Sequence, residues 1–323
     1  MNLNTKTVRN RTLKISQQKA REISKTLIQL DSKASISKIR NTTIRQDTFE
    51  ALQFMPDNFV DLLILDPPYN LYKTFNSSTF TKKNINEYAE WIDDLINRVF
   101  HTLKENASIY FCSDWYSSTS VHLVLEKYFK VRNRITWERE KGRGSKSNWK
   151  QNSEDIWFCT LGNNYTFNVE DVKLKRKVIA PYKNENGEPK DWDGTNGNFR
   201  ITYPSNIWTD ISVPFWSMPE NTEHPTQKPE KLIAKLVLAS TNKNDFVFDP
   251  FLGSGTSSVV AKKLGRSYCG IEIDPKFAAI SEYRLVNTNK NDKIQGYTDK
   301  VFWERNTLSY QSKNGNNKIF LVK

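Results

Sequence analysis

The chain contains an almost continuous apolar run, residues 60–65, that ends abruptly in Asp66-Pro67-Pro68-Tyr69. Such a run without polar alternation is typical of a strand buried on both faces, as in a parallel sheet covered by helices. The two prolines lack a backbone N–H, so neither the strand nor a helix can continue through them. Asp66 and Tyr69 are therefore predicted to lie on a stiff loop at the carboxyl end of a strand, where open α/β sheets bind ligands.

The residues after this strand suit an exocyclic amino group on a flat base. The Asp66 carboxylate and the Pro67 carbonyl can both accept hydrogen bonds from an NH2 group, which draws the nitrogen lone pair out of conjugation with the ring. Tyr69 can stack on the face of the same base, an interaction that contributes roughly 1–3 kcal/mol. Such a base must first leave the duplex stack. A simple turn after a core strand is the alternative interpretation.

A second pattern of strand, glycine turn and helix occupies residues 245–264. Gly253 and Gly255 allow a tight turn and a close approach of the backbone to a ligand. Glu272 follows Gly253 by nineteen residues at the end of another predicted strand, a position from which an acid binds ribose hydroxyls. The pattern also fits a nicotinamide dinucleotide site, but Ser258 replaces the third glycine of that fingerprint and weakens the oxidoreductase alternative.

Three motifs follow one another along the chain: Asp66-Pro67-Pro68-Tyr69, the sequence HPTQKP at 224–229, and the sequence FLGSGT at 251–256. Together they resemble the S-adenosylmethionine-dependent DNA amino-methyltransferases, and their order is similar to the β group of that family, a circularly permuted version. The resemblance covers residues 47 to about 285. It implies an α/β fold of permuted Rossmann-like type, with a largely parallel sheet, helices on both faces and an inserted target-recognition region.

The resemblance also implies which residues act. The expected catalytic residues are Asp66, Pro67, Pro68 and Tyr69. The residues expected to bind S-adenosylmethionine are Asp47, Asp66, Pro225, Thr226, Lys228, Asp249, Phe251, Gly253, Ser254, Gly255, Thr256 and Glu272. Lys228 is expected near the methionine carboxylate of the cofactor and Asp47 near its adenine end. Capping of a following helix is the alternative role for Asp47.

Positive charge is concentrated at the amino end of the chain. The net charge is +12, and residues 1–45 hold eleven Lys and Arg against two acids, which gives +9. Within this basic arm, residues 16–31 are predicted to form an amphipathic helix that docks on the main domain. A basic arm suits a phosphate backbone, with a solvated surface helix or a transit peptide as the alternatives.

A second basic stretch, residues 138–150, is rich in glycine and serine. We expect it to close over DNA, with an unspecialised surface loop as the alternative. The residues expected to contact DNA are Arg139, Lys141, Arg143 and Lys146.

These patterns predict an order of units along the chain. They are a basic helical arm (1–40), a catalytic half (41–169), a target-recognition region (170–222), a cofactor-binding half (223–286) and a carboxyl-terminal tail (287–323). Asp at the first position of the catalytic motif resembles the adenine enzymes more than the cytosine-amino enzymes. The expected reaction is therefore methyl transfer to N6 of a flipped adenine in double-stranded DNA. An N4-cytosine enzyme and a non-catalytic nucleic-acid-binding protein remain the alternatives.

Composition limits the setting of this chemistry. Hydrophobic residues make up 37% of the chain, no apolar run approaches membrane-spanning length, and no signal peptide is recognisable. Three scattered cysteines and three dispersed histidines lack the spacing of a metal site, so we expect reduced thiols, no metal and a cytoplasmic protein. Double-stranded DNA is the expected partner, no membrane is expected, and a cognate restriction endonuclease and a homodimer are compatible with the resemblance.

Overall fold

The computed structural model describes residues 10–70, 73–75, 78–140, 144, 146–179, 182–190, 192–194, 198–307 and 311. The helices within these ranges are α1 (Gln17–Thr26), α2 (Ile36–Ile39), α3 (Thr48–Leu52), α4 (Ile85–Phe100), α5 (Ser118–Tyr128), α6 (Glu230–Ser240), α7 (Thr256–Lys263) and α8 (Pro275–Val286), with a short 3-10 helix at Val169–Val172. The strands are β1 (Thr42–Ile44), β2 (Val60–Leu65), β3 (Lys73–Phe75), β4 (Ser78–Phe80), β5 (Leu103–Ser113), β6 (Lys130–Glu138), β7 (Ser153–Thr160), β8 (Leu174–Lys177), β9 (Trp192–Asp193), β10 (Phe199–Thr202), β11 (Ile207–Trp208), β12 (Phe246–Asp249), β13 (Ser267–Ile271), β14 (Tyr297–Thr298) and β15 (Val301–Trp303).

The main sheet contains eight strands in the order β1-β13-β12-β2-β5-β7-β6-β11. Among these strands, β7 is antiparallel to both of its neighbours, and every other adjacent pair is parallel. Strands β12 and β13 come from the carboxyl half of the chain but lie between β1 and β2. The loops after β2, β12 and β13 therefore meet at one edge of the sheet. The predicted α/β fold with a largely parallel sheet is confirmed.

Strand β2 lies at the centre of the hydrophobic core. All six of its residues are buried, and successive side chains of a strand point to opposite faces of the sheet. Leu63 accordingly packs with residues of α3, α4 and α5 on one face, whereas Leu62 and Ile64 pack with residues of α6 and α7 on the other. The one acid in this strand, Asp61, accepts hydrogen bonds from Lys104 Nζ at 2.7 and 2.8 Å and from Phe246 N at 2.8 Å.

Helix α4 is fixed at its start by a reciprocal capping box. Asn84 Oδ1 accepts from Glu87 N at 2.9 Å, and Glu87 Oε2 accepts from Asn84 N at 3.1 Å, so two of the free N–H groups of the first turn region are satisfied. The face that carries Tyr88, Ile92 and Leu95 is buried against the sheet. This packing holds the first turns of α4 beside the loop that follows β2.

The amino-terminal arm is docked on the main domain, as predicted, although its helix ends at Thr26 and not near residue 31. Helix α1 packs on α8. Before it, Arg11 N donates to Trp216 O at 2.6 Å and Leu13 N donates to Asn221 O at 2.8 Å. After it, the buried Leu30 exchanges backbone hydrogen bonds with the amide of Gln46 at 2.8 and 3.0 Å. The arm is therefore part of the folded domain from residue 10 onward.

A smaller sheet has the order β14-β15-β8-β10-β9. Strands β8, β9 and β10 belong to the predicted target-recognition region, whereas β14 and β15 belong to the predicted tail. The fully buried Phe302 of β15 joins the core that covers α6, and Trp303 packs on Phe199 of β10 at a ring distance of 5.3 Å. The predicted tail thus contributes two strands to the smaller sheet. Across the parts of the chain described here, no helix is both long and apolar enough to span a membrane.

We expect Leu30→Ala to lower the free energy of unfolding by about 2–5 kcal/mol, because it deletes a side chain that is only 2% exposed. Lys25→Ala, on the exposed face of α1, is the control from the same arm and should change this free energy by less than about 0.5 kcal/mol. Urea unfolding of the full chain measures both values. Equal stability of the two variants would contradict the docking of the arm.

Candidate active site

A cavity of about 490 Å³ opens at the edge of the main sheet where β2, β12 and β13 end. Parallel strands of an open α/β sheet commonly bind ligands at this edge. One side of the cavity is formed by the loop after β2 and the other by the glycine turn after β12. The described lining includes thirteen of the predicted catalytic and cofactor residues, which are Asp47, Asp66, Pro67, Pro68, Tyr69, Thr226, Lys228, Asp249, Phe251, Gly253, Ser254, Thr256 and Glu272.

The glycine turn is built around two residues with positive φ, Gly253 at +55° and Gly255 at +83°. Its backbone is tied to the end of β13, because Gly253 N donates to Glu272 Oε2 at 2.8 Å. The other oxygen of Glu272 accepts from Asp274 N at 2.8 Å. The turn therefore presents backbone to the cavity, with the Glu272 carboxylate beside it.

Two acids at this end of the cavity titrate near neutral pH. Burial raises the pKa of the Glu272 carboxyl to about 7, although hydrogen bonds from the backbone of Asp274 and Gly253 oppose the rise. Burial likewise raises the pKa of Asp249 to about 7, against hydrogen bonds from Ser257 and the Phe251 backbone. This end of the cavity therefore favours a ligand that brings positive charge or hydrogen-bond donors.

Asp47 lies at the same end and performs the capping role that the sequence left open. Its Oδ1 accepts from Phe49 N at 2.9 Å and from Glu50 N at 3.2 Å, which caps α3. The side chain also lines the cavity, as do the rings of Phe251 and Trp91, whose centroids are 6.2 Å apart. Capping fixes Asp47 in place, and contact between Asp47 and a cofactor stays a prediction.

The loop after β2 is held on both sides. Tyr88 of α4 donates its hydroxyl to Pro68 O at 3.1 Å. The buried Asn70 pairs with the backbone of Lys83, with one bond of 2.8 Å from Asn70 Nδ2 to Lys83 O and one of 2.7 Å from Lys83 N to Asn70 Oδ1. These contacts keep the catalytic motif at the mouth of the sheet.

At the Asp66 end of the cavity, charged side chains form a network. Lys228 Nζ lies 2.7 Å from both carboxylate oxygens of Asp66 and 3.3 Å from Glu154 Oε2. The Tyr69 hydroxyl lies 3.1 Å from Asp66 Oδ1 and 3.0 Å from Glu154 Oε2. Burial, and then the charges of Asp66 and Glu154, raise the pKa of Tyr69 well above its ordinary value, so the hydroxyl keeps its proton.

The remaining predicted residues differ in their position relative to the cavity. Pro225 and Gly255 are not among the described residues that line it, although residues on both sides of each of them are. Arg139, expected to contact DNA, faces the cavity with Nη1 2.7 Å from Glu154 Oε1. Lys146 is exposed. Lys141 and Arg143 lie outside the described residues, so their predicted DNA contact is untested.

The sequence did not point to Glu154 or Trp91. Glu154 is the first of two adjacent acids at the start of a buried strand, and it lies at the active edge because β7 runs antiparallel to its neighbours. Trp91 lies beside the buried stripe of α4 and is only partly buried. An acid preceding an apolar strand was the available signal for Glu154, but the direction of that strand was needed to interpret it.

Residues 60–283 match the DNA methylase family. The chain is 32% identical over 247 residues to the Type II methyltransferase M.HpaI of Haemophilus parainfluenzae, which covers 75% of this chain and 73% of that protein. It is 30% identical over 251 residues to the DNA adenine methyltransferase YhdJ of Escherichia coli (strain K12), covering 76% of this chain and 82% of that protein. The chain belongs to the DNA methylase family. The family predicted from the three motifs is confirmed.

Solved structures of DNA methyltransferases share the fold of this methylase. The PvuII DNA methyltransferase (cytosine-N4-specific) superposes with a TM-score of 0.57 at 18% identity, covering 75% of this chain and 85% of that chain. The M1.HpyAVI-SAM complex superposes with a TM-score of 0.50 at 22% identity, covering 75% of this chain and 98% of that chain. At these identities the likeness supports the shared fold of the methylase.

In this methylase we expect Gly255→Ala to destabilise more than Gly253→Ala. A side chain in the left-handed region costs about 1–2 kcal/mol at either position. At Gly255 the new Cβ would also lie 2.9 Å from Ser281 Cα of α8, so the backbone must shift, whereas at Gly253 it meets the His224 ring with Nε2 at 3.1 Å. Urea unfolding of both variants tests this order. A smaller loss for Gly255→Ala would show that the turn can relax.

Proposed function

We propose that this methylase transfers the methyl group of S-adenosylmethionine to the N6 amino group of a flipped adenine in double-stranded DNA. The observation that carries the proposal is the pairing of two unlike ends in one cavity. The Asp66 loop offers acceptors for an amine, and the glycine turn with Glu272 offers backbone and a carboxylate to a nucleoside. A methyl donor and an amino acceptor can therefore meet between them.

The residues at the glycine end fit S-adenosylmethionine. Gly253 and Gly255 hold the positive φ angles of the turn, and Gly253, Ser254 and Thr256 line the cavity. Glu272 and Asp47 provide carboxylates, and Phe251 contributes an aromatic ring. When bound, S-adenosylmethionine supplies an activated methyl group on a sulfonium sulfur.

At the other end, the residues of the chain orient and polarise the amine. Asp66 and the Pro67 carbonyl accept hydrogen bonds from its two N–H groups, and Tyr69 holds the ring of the base. Methyl transfer forms the N6–carbon bond as the sulfur–carbon bond breaks, with the electron pair left on sulfur, and the amino nitrogen carries positive charge until its proton leaves to water. Catalysis is then mainly orientation and electrostatic stabilisation by groups already in place.

Adenine is the proposed base for two reasons. The motif begins with Asp66, which resembles the adenine enzymes of the family. The relative named DNA adenine methyltransferase YhdJ is 30% identical over most of both chains. Nucleoside analysis of methylated DNA separates this proposal from the N4-cytosine alternative, because the nucleosides of N6-methyladenine and N4-methylcytosine differ in mass.

The remaining features support a role at DNA. We assign residues 170–222 to target recognition, since β8 and β10 carry Lys175, Arg176 and Arg200, and Tyr203 is exposed beside them. Base flipping brings the target base to the cavity. A cytoplasmic location and a restriction endonuclease that reads the same sequence are proposed by analogy with the Type II relatives. A homodimer stays a prediction.

We expect Asp66→Ala to reduce methyl transfer by about 1,000-fold or more, because the amine loses the carboxylate that polarises it. Cofactor affinity should fall but remain detectable, because the glycine turn is unchanged. The measurements are transfer from labelled S-adenosylmethionine to unmethylated bacterial DNA, nucleoside mass spectrometry, and calorimetry. Asp94→Ala, which removes an exposed partner of Arg98 on α4, is the control and should retain activity. Full activity of Asp66→Ala would exclude the proposed role.

We also expect cofactor binding to tighten as the pH rises from 6 to 8. The free protein holds Glu272 with a pKa of about 7, and hydroxyl donors in the complex favour the ionised form. Below pH 7, cofactor binding then releases a proton from Glu272. If the pKa of Glu272 falls well below 6 in the complex, the affinity rises about tenfold between pH 6 and pH 8. Calorimetry in buffers of different ionisation heat measures the release. Glu272→Gln should show a flatter profile, and an unchanged slope would argue against this linkage.

A further inference from the structure

Four charged side chains and one hydroxyl meet at the Asp66 end of the cavity. Lys228 lies against both oxygens of Asp66 at 2.7 Å and against Glu154 at 3.3 Å. Glu154 in turn lies 2.7 Å from Arg139. Two carboxylates and two cationic side chains therefore alternate, and the Tyr69 hydroxyl lies between the two carboxylates. The formal charges of this group sum to zero.

A lysine paired with Asp66 alone would oppose methyl transfer. The reaction places positive charge on the amino nitrogen, and Asp66 is the carboxylate proposed to stabilise it. An ammonium group on Asp66 neutralises that carboxylate and repels the developing charge, and both effects are strong where water is excluded. Burial lowers the pKa of Lys228, but Asp66 and Glu154 outweigh burial and raise it, so the lysine stays charged. Apart from the cofactor carboxylate expected near Lys228, a second carboxylate of the protein is therefore needed to balance its charge.

Glu154 is placed to be that carboxylate. Its side chain is 7% exposed, and its Oε1 is held by Arg139 while Oε2 faces Lys228. Burial raises the pKa of Glu154, but the charges of Lys228 and Arg139 outweigh burial and lower it, so Glu154 is ionised at neutral pH. Glu154 thus offers Lys228 a charged partner that is already oriented by a second cation.

We propose that Glu154 is a positioning residue for methyl transfer, which balances the charge of Lys228 so that the Asp66 carboxylate is available to the target amine. This inference rests on the proposed function, because the amine is the group that Asp66 would receive. Arg139 acts through Glu154, since it holds the carboxylate in place from the far side. The Arg139 guanidinium is accordingly paired with Glu154 at the site.

The same arrangement orients Tyr69. A tyrosine hydroxyl has one proton to donate, so at any moment it can serve either Asp66 or Glu154. Lys228 Nζ lies 3.1 Å from the hydroxyl oxygen and can donate to it. Donation from Tyr69 to Glu154 leaves the amine those lone pairs of Asp66 that do not accept from Lys228, and it keeps the ring at the edge of the cavity.

The test is a double-mutant cycle on the full-length enzyme, with Glu154→Gln, Lys228→Met and the two combined. At saturating S-adenosylmethionine, Glu154→Gln should lower kcat about 100-fold, with KM for DNA and cofactor affinity within about threefold of wild type. Lys228→Met alone should have a kcat no higher than that of wild type. The combined variant should nevertheless have a kcat about tenfold above that of Glu154→Gln, because the uncompensated lysine charge is removed as well. Each kcat is expressed per cofactor-binding site counted by calorimetry.

Asp210→Asn is the matched control, because Asp210 is also a buried carboxylate held by two cations, Lys231 and Lys235, each at 2.7 Å. It lies outside the described cavity lining, so its kcat per site should equal that of wild type even if its thermal stability falls. A loss of kcat in Asp210→Asn similar to that in Glu154→Gln would mean that disrupting any buried pair suffices, and would overturn the inference.

The outcomes separate this inference from the function on which it rests. A wild-type enzyme that methylates no DNA contradicts the proposed function and the inference with it. An active wild type with unchanged kcat per site in Glu154→Gln contradicts the inference alone. So does a combined variant whose kcat equals the product of the two single effects, since additivity would mean that Glu154 and Lys228 act independently.

Discussion

The contact between the buried Lys228 and the partly buried Asp66 is the constraint on which the site depends. It joins two residues 162 positions apart, one on each of the two halves that form the cavity. Removing one partner of a fully buried ion pair commonly costs about 3–5 kcal/mol. The cost is lower here, because the Asp66 side chain is 20% exposed and Lys228 also contacts Glu154. The loop after β2 and the loop before α6 are therefore held together by an interaction whose strength depends on excluding water. Every other charge at this end must be balanced against it.

The topology of the sheet makes that contact possible. Strands β12 and β13 insert between β1 and β2, so the glycine turn, the Glu272 position and the Asp66 loop share one edge although they are far apart in sequence. Strand β7 adds a residue to this edge from the opposite direction, because its amino end lies beside the carboxyl end of β5. One antiparallel strand in a parallel sheet thus places Glu154 opposite Lys228.

The sequence was sufficient for those parts of the site that local rules describe. An apolar run ending in Asp66-Pro67-Pro68-Tyr69 predicted a buried strand and a rigid loop, and both are present. Sequence reasoning did not identify Glu154. The rule that ligands bind at the carboxyl ends of strands applies to parallel strands, whereas β7 is antiparallel and places its amino end at this edge. The DNA contact expected of Arg139 stays a prediction, and its ion pair with Glu154 depends on a contact that no local pattern encodes.

The tail and α4 show the same limit in other forms. Strand β15 joins the smaller sheet by pairing with β8, and β14 joins it by pairing with β15. The pairing of β15 with β8 is a long-range contact that the local sequence of the tail does not predict. Trp91 was overlooked because the periodicity of α4 identifies the stripe that faces the core, and a residue beside that stripe can still line a cavity. Periodicity locates the buried face of a helix, but neighbouring elements decide what the flank of that face touches.

The two ends of the cavity differ in how their charge is balanced. At the Asp66 end the protein provides its own cations, so that Glu154 has a lowered pKa and remains ionised. At the glycine end, burial raises the pKa values of Asp249 and Glu272 to about 7, and the backbone hydrogen bonds that they accept do not offset it. Negative charge there becomes favourable when a ligand brings positive charge or donors into the same space. A sulfonium cofactor with ribose hydroxyls meets both conditions, whereas the amino group of a base, uncharged until the methyl group arrives, requires the end where the charges are already paired.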